Sequence, residues 1–385
     1  MIDQLITWRR KLHANPELSF QEFATAKFIK EELAQIPNMD VEISVGYLTG
    51  VVGTLTNGPG PVIAIRADMD ALPIHEESEH EFTSQNAGVM HACGHDAHMA
   101  IALGAATRLS EAFQNNELQG TVKVIFQPAE EMADEYGSTG APYMIKAGVL
   151  NDVDAVIALH MSPENSVGEM QIHDGYSMAA VDVFSGKIKG TGGHGAYPHL
   201  GTDPIRVLAQ LLPAIYGITS RTISPLVPSV ISIGQVIAGS ASNVIPSEVE
   251  ITGTIRSYDP HVQELLREEL GTVLMAIERP GVTEDISITT VDPALKNDPG
   301  INALIRTVIT DYHPEMTIKD TPFGMGGEDF AHMTNIVPGS MFFLGCGKQD
   351  QKVRNLHTPT FDIDERCLPI GVSILTETAK RFLGG

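Results

Sequence analysis

Histidine, cysteine and carboxylate residues cluster at the ends of apolar, strand-like runs in this chain. The segment HACGHDAH contains Cys93 and His95, the run DAVIALH ends at His160, and His357 follows the run MFFLGC. These side chains offer the sulfur and nitrogen donors that suit Zn²⁺ and neighbouring first-row ions, whereas Mg²⁺ and Ca²⁺ favour oxygen ligands. The residue types therefore predict a transition-metal site.

An adjacent pair of glutamates, Glu130 and Glu131, follows the strand-like run VKVIFQ. Adjacent side chains diverge, so one carboxylate can bind a metal while the other takes a proton from an attacking water and passes it to a leaving amine. This division of roles describes metal-assisted hydrolysis of an amide. The alternative is that the pair begins a solvated acidic stretch, because Asp134 and Glu135 follow it.

The elements that would position these residues alternate between helical and strand-like patterns. Helical spacing predicts helices from Ile2 to Leu12, from Phe23 to Leu33 and from about Ala97 to Ala112. Apolar runs predict buried strands at 51–56, 62–67, 122–127 and 154–160. Such runs separated by helices indicate an α/β domain with a central mixed sheet. Ligands bind outside the carboxyl ends of the strands in such sheets, so we expect the polar clusters to converge.

The pattern changes after Tyr176. Alternating strands and two helices follow in the order β-α-β-β-α-β, which is typical of a ferredoxin-like α+β sandwich. From about Pro293 the α/β pattern returns. We therefore predict a catalytic domain built from residues 1–177 and 293–385, interrupted by an inserted ferredoxin-like dimerisation or lid domain at 178–292.

The net charge and the cysteine content of the chain bear on its partners and on its cellular compartment. The 385 residues include 25 Lys and Arg against 48 Asp and Glu, a formal net charge of −23. Such a chain repels phosphate backbones and anionic lipids, which argues against nucleic-acid and membrane partners. Three cysteines are too few for a disulfide framework, and the opening segment lacks the order of a secretory signal. We expect a cytoplasmic protein.

Ten motifs, taken in chain order, resemble one family of hydrolases. They are RRKLHANPELSF, IAIRADMDALPI, MHACGHDAHMA, FQPAEE, ALHM, GTGGHGAYPH, NVIP, GTIR, GGEDF and NLHTPTF. In this order they resemble bacterial N-acyl-amino-acid amidohydrolases, hippurate hydrolases and plant auxin-conjugate hydrolases. These enzymes belong to the aminoacylase and carboxypeptidase group of dinuclear metallopeptidases. The resemblance runs from about residue 8 to residue 361.

The resemblance implies roles for the clustered residues. Two divalent ions, which could be Zn, Mn, Co or Ni, would be bound by Cys93 as the bridging ligand and by His95, Glu131, His160 and His357. Glu130 would be the general acid and base. Asp70 matches an aspartate that orients a metal ligand, and Asp68 stands where many relatives in the wider group carry a histidine.

The resemblance also assigns residues of the inserted domain. His194 would reach the metal site, often from a partner subunit, and donate to the developing oxyanion, although the residues alone indicate only a tight turn there. Asn243 and Arg256 would hold a substrate carboxylate. Because a small sandwich with an exposed sheet edge can pair symmetrically, we predict a homodimer through the inserted domain, with His194 acting across the interface or after closure of its domain. Glu328 and Asp329 are interpreted as caps of the next helix.

The predicted function is a metal-dependent amidohydrolase that cleaves N-acyl amino acids, which are small molecules, into a carboxylic acid and a free amino acid. An N-acetyl-diaminopimelate deacetylase shares every motif above, and a dipeptidase is a more distant alternative. A catalytically inactive binding module of the same fold is the remaining alternative. The presence of every expected ligand type and of the base argues against that last reading.

Overall fold

The structure, a computed structural model, describes residues 1–275, 283–349 and 354–384. The helices are α1 (Ile2–His13), α2 (Phe23–Leu33), α3 (His95–Gln114), α4 (Gly140–Lys146), α5 (Pro204–Arg221), α6 (Pro260–Met275), α7 (Pro299–Tyr312), α8 (Phe330–Thr334) and α9 (Leu368–Gly384). The strands are β1 (Asp40–Ile43), β2 (Val51–Asn57), β3 (Val62–Asp68), β4 (Gly120–Gln127), β5 (Ala155–Ser166), β6 (Glu169–Gln171), β7 (Gly175–Met178), β8 (Ala180–Lys189), β9 (Gly193–His194), β10 (Ser229–Ala238), β11 (Val244–Ile245), β12 (Glu248–Ser257), β13 (Thr283–Asp292), β14 (Leu295–Asn297), β15 (Thr317–Lys319) and β16 (Gly339–Gly347).

The chain divides into two compact units. The first comprises Met1–Ser177, Lys296–Phe323 and Asp329–Gly385, and the second comprises Met178–Leu295 and Gly324–Glu328. The short segment 324–328 therefore groups with the inserted part of the chain. None of the helices that the structure describes is long and apolar enough to span a bilayer.

The first unit is organised around an eight-stranded mixed sheet in the order β1-β2-β4-β3-β5-β16-β6-β15. Its centre is parallel, since β3 pairs in parallel with β4 and β5, and β16 pairs in parallel with β5. The antiparallel pairings are those of the edge strand β1 with β2, of β2 with β4, and of β6 with β16. The central strands are buried, which explains their continuous Val, Ile and Ala composition. The predicted α/β class with a central mixed sheet is confirmed.

Helix α3 is the buried helix of the first unit, and its small residues allow this position. It contacts both α1 and α9. At Gly104 a Cβ atom would lie 2.7 Å from side-chain atoms of Leu5 and of Val372, so only glycine permits this approach. The helix starts at His95, which fixes the position of the candidate ligands at its first turn.

The second unit is a four-stranded antiparallel sheet in the order β10-β12-β8-β13. Its elements follow the chain order β8, α5, β10, β12, α6, β13, which is the predicted ferredoxin-like arrangement. Apolar residues of α5 and α6 pack with the sheet to form a separate core that includes Phe184, Leu211 and Leu266. A short two-stranded pair, β9 with β11, accompanies the sheet.

Candidate metal centre

The candidate ligands of the first unit lie where the parallel strands of the large sheet end. β3 ends at Asp68, β4 ends at Gln127 shortly before Glu130, and β5 carries His160. β3 lies between β4 and β5 and runs parallel to both. The carboxyl ends of these strands therefore face the same way, and the polar residues that follow them converge as expected.

Gly94 separates two candidate ligands, Cys93 and His95, at the start of α3. Its φ is 90°, a left-handed conformation that glycine adopts without steric penalty. A Cβ atom there would lie 2.8 Å from Cγ and 2.9 Å from Cβ of Met161. The turn into α3 therefore requires glycine, and this turn places Cys93 and His95 in one cluster.

The donor atoms of the five predicted metal ligands come together. Sγ of Cys93 is 3.4 Å from Nε2 of His160. Oε1 of Glu131 is 3.3 Å from Nε2 of His357 and 3.7 Å from Nε2 of His95. One donor atom each from Cys93, His95 and His160 lie within 4.8 Å of one another, and so do those from Cys93, Glu131 and His357. Cys93 is common to both groups, a position that suits a bridging ligand.

Glu130 borders this cluster and is held by Asp70. Donor atoms of His95, Glu130 and Glu131 lie within 4.8 Å of one another. The backbone N–H groups of Glu130 and Glu131 donate to the two carboxylate oxygens of Asp70 at 3.1 and 3.0 Å. Nδ1 of His95 donates to the backbone carbonyl of Asp70 at 2.8 Å. Asp70 thus fixes both glutamates and the His95 ring, which is the geometry of a residue that orients metal ligands.

Two buried donor atoms of the cluster have no hydrogen-bond partner among the residues that the structure describes. They are Nε2 of His95 and Oε1 of Glu131. A buried polar atom left without a partner costs about 1–3 kcal/mol, and a cation between these two would satisfy both. Together with the Cys93 thiol, these imidazole and carboxylate donors fit a divalent transition metal.

The electrostatics of the cluster also fit a cation. Burial lowers the pKa of His95, but the carboxylates of Asp68 and Asp70 outweigh burial and raise that pKa to about 10. Burial, assisted by the nearby Glu131 carboxylate, raises the pKa of the Cys93 thiol well above its ordinary value. At neutral pH the imidazole of His95 is therefore protonated on both nitrogens, and the thiol of Cys93 keeps its proton. A divalent cation would replace these protons and stabilise the ligand forms of both side chains.

Both carboxylate oxygens of Asp68 accept hydrogen bonds from side chains outside the set of predicted metal ligands. Its Oδ1 accepts a hydrogen bond from Nδ1 of His98 at 2.6 Å, and its Oδ2 accepts one from Arg66 at 2.6 Å. Burial raises the pKa of Asp68, but the facing cationic groups, His95 foremost, hold it well below the ordinary value. His98 in turn accepts the backbone N–H of Met161 at 2.9 Å. Asp68 therefore supports the cluster through its neighbours.

Asp329 belongs to the same buried network, and its interpretation as a helix cap is wrong. It precedes α8, but its side chain makes no capping hydrogen bond to that helix. It accepts hydrogen bonds from Arg66 at 2.8 Å and from the side-chain amide of Gln127 at 2.8 Å instead. The backbone N–H of Ala141 also donates to it. These contacts fix the end of β4 just before the glutamate pair.

Glu22 is a supporting residue that the sequence analysis missed. Its Oε1 accepts the backbone N–H groups of Phe20 and Ala129 at 2.9 and 2.8 Å, and its Oε2 accepts the hydroxyl of Thr49. Burial and the facing Asp70 carboxylate raise the pKa of Glu22 to about 7. It stabilises Ala129, a non-glycine residue with a φ of 50°, immediately before the glutamate pair. A glutamate shortly after the RRKLHANPELSF motif was the only available signal.

The remaining predicted site residues lie in the second unit. His194 is exposed on β9 and pairs with Val244 of β11, and the backbone N–H of Gly195 donates to the carbonyl of Asn243 at 2.8 Å. The pairing of β9 with β11 therefore brings His194 and Asn243 together, although α5 and β10 separate them in the chain. Arg256 lies half-buried on β12, with Nη1 3.4 Å from the carbonyl of Met325. Burial lowers the Arg256 pKa.

Comparison with known proteins identifies the family. The model of the peptidase family M20/M25/M40 matches residues 64–381. Thermostable carboxypeptidase 2 of Saccharolobus solfataricus is 40% identical over 99% of this chain and 95% of its own length. N-acetyl-L-cysteine deacetylase of Bacillus subtilis is 38% identical over 99% and 88%, and IAA-amino acid hydrolase ILR1-like 5 of Arabidopsis thaliana is 36% identical over 99% and 87%.

A solved structure agrees with these relatives. A Bacillus subtilis protein described as a dinuclear metal binding peptidase from the M20 family superposes with a TM-score of 0.82 at 33% identity, covering 100% of this chain and 98% of the other. The chain therefore belongs to peptidase family M20/M25/M40, and it is a metal-dependent hydrolase of amide bonds.

Proposed function

We propose that the protein hydrolyses the amide bond of N-acyl amino acids and releases a carboxylic acid and a free amino acid. The observation that carries the proposal is the cluster of one thiol, three imidazoles and one carboxylate with Glu130 at its border, in which Cys93, His95 and His160 are buried and His357 is exposed. The names of the deacetylase and the IAA-amino acid hydrolase among its relatives support this substrate class.

The cluster would hold two divalent ions. Cys93 would bind both, and His95, Glu131, His160 and His357 would complete the two sites. When bound, the ions supply Lewis acidity to the scissile carbonyl and to the attacking water. The donor set is compatible with Zn, Mn, Co or Ni.

Glu130 would carry the proton transfers. Its carboxylate would take a proton from the attacking water and deliver it to the nitrogen of the leaving amine. Asp70 supports this role because it fixes the backbone N–H groups of Glu130 and Glu131 through two hydrogen bonds. The carboxylate that accepts the proton and the one that binds metal are thereby held next to each other.

The second unit would supply substrate contacts, and we propose that the two compact units are the catalytic and inserted domains. The half-buried guanidinium of Arg256 and the side chain of Asn243 would bind the substrate carboxylate, since a planar guanidinium pairs with a carboxylate through two hydrogen bonds. His194, exposed on the short strand β9, would donate to the developing oxyanion. Pairing of two copies through this unit is supported by the edge strand β10, where Val236 and Ile237 are exposed.

A carboxypeptidase activity is the second candidate. It is favoured by the 40% identity with a protein named thermostable carboxypeptidase 2. Peptides and N-acyl amino acids share a free carboxylate beside the scissile amide, so the same Arg256 contact would serve both. The group on the acyl side of the bond distinguishes the two substrate classes.

A substrate panel tests the proposal. The protein is freed of metal by chelation, reloaded separately with Zn²⁺, Mn²⁺, Co²⁺ or Ni²⁺, and given acetyl, benzoyl, long-chain acyl and indole-acetyl amino acids together with dipeptides. Amine release is measured with ninhydrin. Matched N-acyl amines without a carboxylate are the substrate control, and Glu130→Gln is the enzyme control. Release from dipeptides alone would favour the carboxypeptidase, and no release under any metal would reject both candidates.

We further propose that the protein works in the cytoplasm. Cys93, Cys346 and Cys367 are all free and buried. A reducing compartment preserves the Cys93 thiol that the proposed metal centre needs. Oxidising incubation is expected to lower metal content, and reduction is expected to restore it.

A further inference from the structure

A second cluster of potential metal ligands is formed by His13, Glu76 and His80, none of which the metal centre uses. Oε1 of Glu76 is 3.2 Å from Nε2 of His13 and 3.6 Å from Nε2 of His80. One donor atom from each residue lies within 4.8 Å of the others. Two imidazoles and one carboxylate are a common donor set for zinc in proteins.

The other atoms of these three side chains are held by neighbours. Nδ1 of His13 lies 2.8 Å from the carboxylate of Asp96, and Nδ1 of His80 lies 3.4 Å from the hydroxyl of Thr83. The second oxygen of Glu76 accepts the backbone N–H of Ser84 at 2.7 Å. Metal-binding histidines are usually oriented in this way, with the nitrogen that does not bind metal held by a carboxylate or another oxygen.

The distances match the size of a metal site. Bonds of about 2.0–2.1 Å from zinc to nitrogen or oxygen in a tetrahedron place the donor atoms about 3.4 Å apart. The two measured separations, 3.2 and 3.6 Å, lie on either side of that value. Two of the three donor separations therefore match a metal site, and the third, between the two imidazole nitrogens, is within 4.8 Å.

An ion pair alone accounts for only part of this cluster. It explains the contact between His13 and Glu76, but Nε2 of His80 is buried without a hydrogen-bond partner among the described residues. Stacking on Phe82, with ring centroids 4.0 Å apart, fixes the plane of the His80 ring but leaves that nitrogen unsatisfied. A cation shared with His13 and Glu76 would satisfy it.

One member of the cluster, His80, borders a surface groove, whereas His13 and Glu76 are buried behind it. His80 and Phe82 line an open surface groove of about 570 Å³. Four cationic side chains line this groove, and each forms an ion pair with a carboxylate: Arg9 with Asp96, Arg10 with Glu365, Lys348 with Asp362 and Arg366 with Asp364. The groove beside His80 is therefore bordered by cations whose charges are paired.

We propose that His13, Glu76 and His80 form an additional binding site for a divalent transition metal such as Zn²⁺, with water completing the coordination. The ion would link α1 to the loop that carries Glu76 and His80. This site is independent of the proposed substrate class.

Metal stoichiometry tests the proposal directly. Metal-free protein is dialysed against a series of Zn²⁺ concentrations, and bound zinc is measured by elemental analysis for the wild type, His80→Gln and Glu76→Gln. Each variant is expected to bind one ion per chain fewer than the wild type at saturation. His313→Gln replaces a histidine bonded to Ser373 outside the cluster and is expected to keep the wild-type number. Equal saturation of the wild type and both variants would overturn the proposal.

Cobalt distinguishes this site from the metal centre. A thiolate ligand gives Co²⁺ a near-ultraviolet charge-transfer band, whereas two imidazoles and a carboxylate do not. The ion missing from His80→Gln is therefore expected to leave the thiolate band unchanged. Loss of that band would show that the substitution acts on Cys93 and would overturn the assignment of a separate site. Unchanged circular dichroism of the metal-free variants is the folding control. His80 is partly exposed and takes no part in the buried contact between His13 and Asp96, so its replacement spares that contact.

Discussion

Replacing Gly94 by alanine is expected to have two effects: it destabilises the protein, and it lowers the metal content of the metal centre. The left-handed backbone at Gly94 costs a residue with a side chain about 1–2 kcal/mol. The added methyl group would lie 2.8 and 2.9 Å from carbon atoms of Met161, and overpacking of this kind costs about 1–3 kcal/mol. The sum predicts that Gly94→Ala lowers the free energy of unfolding by about 2–5 kcal/mol. Relief of the overlap would move Cys93 and His95, which flank the substitution.

Gly58→Ala is the matched control for this experiment. Gly58 has a similar φ of 68°, and its Cβ position has no described neighbouring atom within 4 Å, so only the backbone cost of about 1–2 kcal/mol applies. Urea unfolding gives the free energy of both variants, and elemental analysis gives their metal content. Equal destabilisation by the two substitutions, or full metal content in Gly94→Ala, would refute the steric argument.

Three further substitutions test separate parts of the site. Glu130→Gln is expected to keep metal content while slowing turnover by ~10²-fold or more, because it removes the proton acceptor and keeps its shape; near-normal turnover would contradict the assigned role. Cys93→Ala is expected to lower metal occupancy in elemental analysis because a thiolate ligand is lost, and full occupancy of both sites would contradict bridging. Glu22 has its pKa raised from 4.5 to about 7, so the folded state retains a proton that the unfolded state has lost. Stability of the metal-free wild type should therefore fall, relative to Glu22→Gln, by up to about 3 kcal/mol as pH rises from 4.5 through 7. A difference in unfolding free energy between the two proteins that stays the same at every pH would exclude this shift.

The sequence predicted the elements whose burial leaves a strong apolar pattern. The helix expected from Phe23 to Leu33 has those bounds in the structure, and the strand expected at 62–67 is β3, Val62–Asp68. The edge strand β1, with the sequence DVEI, was missed because it is mostly exposed and carries little apolar pattern. The three-residue strands β6 and β15 are too short for periodicity to detect.

The candidate ligands were predictable from residue type, whereas of their supports only Asp70 was expected, and only through the family resemblance. Cysteine and histidine at the start of a helix, together with glutamate and histidine near strand ends, suggest metal ligation without any knowledge of tertiary contacts. Asp329 hydrogen-bonds to Arg66 across 263 positions of the chain, and no local pattern encodes that contact. The same holds for the hydrogen bond between Ser19 and Asp70. The supports that no motif marks, such as Asp329 and Glu22, are defined by the fold and become visible only when the fold is known.

A homodimer in which His194 acts on the partner's metal centre is the last prediction. His194 and Glu130 belong to different compact units of the chain, and His194 is exposed on β9, which pairs with β11. If His194 acts across subunits, a mixed dimer of His194→Ala and Glu130→Gln contains one site with both residues intact. Mixing the two inactive variants under conditions of subunit exchange should then restore part of the activity. If His194 acts within its own subunit, every site keeps one defect and no activity returns. Exchange is verified with differently tagged subunits, and a fully active monomer would reject the requirement for a dimer altogether.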